Sequence, residues 1–187
     1  MNEETLENKV NPWISIWSHP TKTMQYLLTK GPNYLLFLMV TLYGLTLKGS
    51  SLWAILLATL IGYIASSFSA LLLYWTGKWI NGKGTIKQIR MALLWSCIPR
   101  YGATIISLIL FPWIFIHPVT AVLYILSPFI LVFSIWSFFT SLCTLKVVQG
   151  YQSKWKVFGN MCLASIFILL VFLVLSLFAF RFALLKA

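Results

Sequence analysis

The sequence predicts an all-α, polytopic membrane helical bundle: five transmembrane helices preceded by a short interfacial amphipathic segment. Three observations predict it. Of 187 residues, 60% are hydrophobic and only 9% charged, where a soluble domain carries about 25% charged residues. Residues 49–77, 101–145 and 157–180 contain no Asp, Glu, Lys or Arg, and a spanning helix needs about 20 mostly apolar residues. The basic residues collect in the short stretches between these runs, as they do in the inner loops of membrane proteins.

Residues 1–32 are expected to form a cytoplasmic tail and the interfacial segment, and 33–187 the membrane domain. Positions 1–10 read as a flexible tail. Its first residues are acidic and the first apolar run starts near Asn33, so it is not expected to be a cleaved secretory signal. In "NPWISIWSHPTKTMQYLLTK", Trp13, Ile16 and Trp17 share one helical face. Met24, Leu27 and Leu28 share another after Pro20, which suits the first turn of a new helix. Aromatic anchors on such faces predict interfacial helices. Gly31-Pro32 ends the segment.

The first span is short, Asn33 to Leu47, and turns at Lys48-Gly49-Ser50. The second runs from about Leu52 to Trp75, and Gly77 is expected to end it. The third occupies some part of 86–116, with Thr85 and Gln88 spaced as a capping box at its start. His117-Pro118 makes the next turn. The fourth runs to about Leu145 with a kink expected at Pro128, and the fifth fills 157–185.

An odd number of spans puts the termini on opposite faces. With the N-terminus inside, the inner segments hold Lys9, Lys22, Lys30, Lys78, Lys83, Lys87, Arg90, Lys146, Lys154 and Lys156. The outer ones hold Lys48, Arg181 and Lys186. That asymmetry predicts a multi-pass protein of the cell membrane, its N-terminus cytoplasmic and its C-terminus outside. Trp53 and Trp113 fall near the outer boundary, and Trp75, Trp79 and Trp155 near the inner one.

Much chemistry is excluded. Glu3, Glu4 and Glu7 are the only acidic side chains, so no carboxylate pair, oxygen-ligand metal cage or acidic proton relay can form within the bundle. Cys97, Cys143 and Cys162 show no C-x-x-C spacing and read as small buried hydrophobes. His19 and His117, predicted on opposite faces, read as turn residues. No G-x-S-x-G nucleophile motif occurs. Net charge is +11, but no basic-aromatic module for nucleic acid accompanies it. An enzyme is not expected, and no cofactor is implied.

One stretch imitates a nucleotide site. "GKWINGKGT", Gly77 to Thr85, spells G-x-x-x-x-G-K. Gly84 stands where a magnesium-binding Ser or Thr is needed, a membrane helix precedes it in place of a strand, and no Asp exists to hold the metal. The stretch reads instead as a basic inner turn, with Gly82 and Gly84 allowing a tight reversal.

Two features are candidate sites. The first is a lipid or anion site of Pro99, Arg100, Lys83, Lys87 and Arg90. Proline cannot donate to the carbonyl of Trp95. A span starting after Arg90 would place Arg100 about 14 Å deep, reaching for carbonyls, water or a lipid phosphate. Alternatively, residues 86–98 form a separate short interfacial helix, with Ile86, Ile89, Leu93 and Trp95 on its apolar side. Arg100 would then anchor the headgroup end of a span over Tyr101–Ile116. The second feature is a helix-packing ridge of Ala54, Ala58, Gly62, Ser66 and Ala70, small residues at every fourth position. Its partner is a helix of the same chain or of a second copy in a homo-oligomer.

Taken together, a Pro-containing entry "HPTKTM", a Gly-rich inner loop "NGKGTIKQ" leading to "WSCIPR", and a second inner loop "VVQGYQSKWKV" before the last span resemble the Yip family. These are the Ypt/Rab-interacting five-span membrane proteins. The resemblance covers most of 11–187. Eukaryotic members are traffic adaptors for small GTPases with longer cytosolic N-terminal regions. The short tail here resembles the bacterial branch, some of whose members are linked to exporter complexes or envelope stress. The resemblance implies no catalytic residues. It implies a membrane organiser or accessory subunit, its partners membrane lipids and a membrane protein such as an exporter complex. A transporter or lipid translocator with an anion pocket at Pro99-Arg100 is the alternative.

Overall fold

A computed structural model describes residues 11–31, 33–35, 38, 40, 52–110 and 119–184. The expected tail, most of the first span, its turn at Lys48-Gly49-Ser50 and the His117-Pro118 turn lie outside the described residues. Within them there are seven helices and no strand.

The N-terminal segment forms two short helices, α1 (Pro12–Ser18) and α2 (Pro20–Lys30). Asn11 caps α1 by accepting from the Trp13 N–H at 3.1 Å, and Pro20 opens α2 as its sequence position predicts. Ser15 and Thr23 tie the two helices together with a 2.7 Å hydroxyl bond. Ile16, Met24 and Leu27 are fully buried, because α1 rests on α5 and α2 on α6. The segment read as interfacial therefore turns much of its apolar face toward protein.

Helix α3 (Leu52–Trp79) runs four residues past the expected end and contains Gly77 in its last turns. Helix α4 (Ile86–Ser96) begins at the Thr85–Gln88 capping box, both halves of which form. The chain then breaks at Cys97, and α5 (Ile98–Leu110) follows. Pro99 sits in the first turn of α5, where its missing N–H costs nothing. Of the two readings of this stretch, the separate short helix is the one that forms, ending at Ser96 where 98 was expected, and the Trp95 carbonyl is not orphaned in mid-helix. Helix α6 (Val119–Gln149) includes Pro128, and α7 (Lys154–Leu184) ends the described chain.

Three helices are long and apolar enough to cross a membrane, over Thr59–Trp79, Leu126–Gln149 and Lys154–Val174. Helix α6 is central and packs on α2, α4, α5 and α7, while α3 packs on α4 and α7. The core gathers around Trp95, which is fully buried. Trp13 lies 5.3 Å from it, and Tyr34 stacks on it at 6.2 Å with an interplanar angle of 14°.

Candidate functional site

A buried polar assembly lies where two loops meet, at 80–85 and 150–153. Helix α6 ends in a Schellman motif: Gly150 N donates to Val147 O (3.2 Å) and Tyr151 N to Lys146 O (3.1 Å). Gly150 takes φ 67°, which glycine adopts at no steric cost. The turn sends Gln149 and Tyr151 back against the end of α3. Gln149 Nε2 donates to Leu73 O at 3.2 Å, and Tyr151 Oη to Gly77 O at 3.3 Å. Between the backbones, Lys83 N donates to Gln149 O at 3.0 Å.

Helix α7 joins through Asn160, which is buried. Its Nδ2 donates to Leu73 O at 3.1 Å, and its Oδ1 faces the Thr76 hydroxyl. One carbonyl on α3 therefore collects donors from α6 and α7, and the three long helices share one buried knot. In an apolar medium such bonds act as glue between helices, each worth roughly 0.6–2 kcal/mol.

The glycines of "GKWINGKGT" make room for this knot. A Cβ on Gly77 would stand 2.7 Å from Gln149 Nε2. One on Gly82 would stand 2.3 Å from Gln149 Oε1, and one on Gly84 2.9 Å from the Val148 carbonyl oxygen. The loop's positive φ belongs to Asn81, at 65°. The reading of Gly77 as a helix stop and of Gly82 and Gly84 as flexible turn residues is thereby corrected: close approach, not backbone freedom, requires them.

A second polar seam covers the break between α4 and α5. Ser137 Oγ donates to Ser96 O, and Ser141 Oγ to Ser96 Oγ, both at 2.8 Å. Thr144 and Thr140 continue the buried stripe along α6. Ser137 thus satisfies a carbonyl that the interrupted helix leaves open.

The residues singled out from the sequence do not form one cluster around Arg100. Pro99 is buried and Arg100 exposed, while Lys83 and Lys87 are exposed on the loop before α4 and its first turn. Arg90 turns instead to α3: Nη1 donates to Ser67 Oγ at 3.1 Å, and the guanidinium lies 4.9 Å from the Tyr63 ring centre. Its Nε is buried without a partner. Ser67 lies about 16 Å along α3 from Lys78, at 1.5 Å per residue. Of the small-residue ridge, Gly62, Ser66 and Ala70 are buried within the single chain. The side chains of Ala54 and Ala58 lie outside the described residues.

Gln149, Tyr151, Asn160 and Thr76 were not singled out in the sequence. The signal available was small: "QGY" closing an apolar run, and Asn160 alone inside the uncharged stretch 157–180. Burial raises the Tyr151 phenol to about 12, so the knot holds neutral groups, and its hydrogen bonds are internal. Among the described residues no three His, Cys, Asp or Glu side chains gather as metal ligands.

No curated protein and no solved structure matches the chain. A family model does: the Yip1 domain aligns with residues 14–176. This match runs from α1 through most of α7 and takes in both glycine-rich loops and the knot between them. Together with the three apolar helices it marks a membrane protein, and the chain belongs to the Yip1 domain family.

Proposed function

We propose that this is a non-enzymatic, five-span protein of the cell membrane, its N-terminus cytoplasmic and its C-terminus outside. It acts as a membrane organiser or accessory subunit through helix-helix and lipid contacts. The observation that carries the reading is the flank of α7. Only 17% of its span is buried within the chain, and Leu169, Phe172 and Leu173 stand exposed along it. Gln149, Tyr151, Asn160, Ser137 and Ser141 are meanwhile engaged in holding helices together. A protein whose interior is fastened and whose apolar flank is open presents surface for a membrane partner, an exporter complex being the family-based expectation.

Purification of the full chain in mild detergent tests this. A membrane protein should co-purify in stoichiometric amount, and Phe172→Arg should release it without loss of helical content. Recovery of the wild type alone, at every detergent tried, would count against the proposal.

A second reading, a transporter or lipid translocator, is favoured by one observation: the Arg90 guanidinium, deep along α3 with neutral partners. Solute or lipid movement in vesicles containing only this protein would support it. Loss of that movement in Arg90→Leu or Arg100→Leu would tell which cation serves.

A further inference from the structure

We infer that the chain carries a defined site for one anionic glycerophospholipid, in a groove between α7 and the end of α3. The groove is open along one side, has a volume of about 520 Å³ and is lined by Ile80, Asn81, Lys156, Gly159, Cys162 and Ile166 with their neighbour Leu163. The volume falls within the range of about 300–1,000 Å³ that bound small molecules fill.

Its lining is graded from end to end. The mouth holds the Asn81 amide and the Lys156 ammonium, both exposed. The α7 residues beyond them fall on one helical face, at spacings of three and four, and are apolar or small. Trp155 adjoins Lys156 and Trp79 adjoins Ile80 of the lining, and the two are 79% and 70% exposed. Exposed tryptophans of this kind settle at the headgroup level, so the mouth opens there. Ile166 lies about 15 Å further along α7 than Lys156, at 1.5 Å per residue. That is half of a hydrocarbon core about 30 Å thick, the depth of one leaflet.

A groove with a cation at the headgroups and an apolar floor one leaflet deep matches an acidic phospholipid. The phosphate meets Lys156 and Asn81, and one acyl chain lies along Gly159, Cys162 and Ile166. A partner helix would follow α7 across both leaflets and would not call for a cation at one end. Gly159 keeps the middle of the groove open: a Cβ built there meets nothing within 4 Å. A larger side chain at 159 therefore fills the lipid's place without striking the fold.

The inference rests on the membrane placement proposed above but not on any protein partner. The test is native mass spectrometry of the detergent-solubilised full chain with an equal mixture of dioleoyl phosphatidylglycerol and dioleoyl phosphatidylcholine. Wild type should retain one lipid molecule, with phosphatidylglycerol preferred about five-fold, the ratio one surface cation supplies. Lys156→Glu should abolish that preference while phosphatidylcholine is still retained. Gly159→Leu should lower retention of both lipids several-fold at unchanged helical content and unfolding temperature. Should Gly159→Leu fold poorly, Ile166→Trp closes the deep end from a lipid-facing position and decides the same question. Equal retention by wild type and by a folded groove-filling variant would overturn the site, as would wild-type binding without headgroup preference. A co-purifying protein cross-linked through Cys162 in place of lipid would overturn it too. Because lipid retention is read on the isolated chain, failure to find a partner protein leaves the result intact.

Discussion

Replacing Gly82 by alanine should loosen the joint between the inner loops more than a single methyl group suggests. The added Cβ would lie 2.3 Å from Gln149 Oε1, 2.8 Å from Tyr151 Oη and 3.0 Å from the Gly77 carbonyl oxygen. Three oxygens on three sides leave the methyl no direction to yield, so Gln149 and Tyr151 must swing away. Each then gives up a hydrogen bond to α3, Gln149 to Leu73 O and Tyr151 to Gly77 O. A bond of this kind contributes about 1 kcal/mol net, and the residual crowding adds about 1–3 kcal/mol. The sum is about 3–5 kcal/mol, which at roughly 2–4 °C per kcal/mol lowers the unfolding temperature by about 6–20 °C. Thermal unfolding in a fixed detergent, followed by circular dichroism, measures the drop. The decisive companion is Gly82→Ala combined with Gln149→Ala, which removes the atom the methyl strikes. The double variant should be less damaged than the two single losses added together, a coupling of at least about 1 kcal/mol. Purely additive losses would refute the close-approach account, and so would an unfolding temperature for Gly82→Ala equal to that of wild type.

Other outcomes follow from the same contacts. Asn160→Leu should destabilise by about 1–3 kcal/mol, since it removes the donor to Leu73 O and leaves the Thr76 hydroxyl with fewer acceptors. Thr76→Val should cost less, because Leu73 O keeps both its side-chain donors; urea or heat unfolding ranks the two. Gly62→Leu puts a branched side chain into a buried position on α3 and should lower expression and unfolding temperature together. Burial holds the Tyr151 phenol at about 12, against an ordinary 10.0. The raised value favours the neutral phenol in the folded state. Its contribution is therefore complete below pH 10 and is lost as pH rises toward 12. Unfolding temperature against pH should fall less steeply across that window in Tyr151→Phe than in wild type.

The features legible in the sequence were those set by local chemistry. Pro20 opens a helix because proline fits a first turn, and Thr85 with Gln88 caps α4 through contacts three residues apart. The uncharged runs gave the three long helices because bilayer thickness sets their length. The break at Cys97 was legible only as one of two readings, a separate short helix over 86–98, since both arms are apolar and the carbonyl it exposes is satisfied by Ser137, 41 residues away. The knot was illegible for the same reason at longer range. Gln149 and Asn160 reach Leu73 from 76 and 87 residues away, and nothing near any of the three announces a partner. The glycines misled because glycine marks two different needs, a left-handed dihedral or an absent side chain, and spacing alone does not separate them.

Polar contacts acquire particular weight in such a chain. Between helices in lipid there is no hydrophobic gain to be had, since acyl chains are as apolar as leucine. Register must come from close packing and from hydrogen bonds. Both seams described above supply these where helical geometry is interrupted, at the 80–85 and 150–153 loops and at the α4–α5 break. Helix α7 shows the consequence. Val157, Asn160 and Ala164 are buried in its first third, whereas Leu169 through Val174 are exposed. It is fastened at the base by Asn160 and presents most of its length outward. The proposed lipid groove lies at the fixed base, and the proposed partner surface on the outward length. The same knot that dictates three glycines in one loop therefore also fixes which residues of the last helix are buried and which stay exposed.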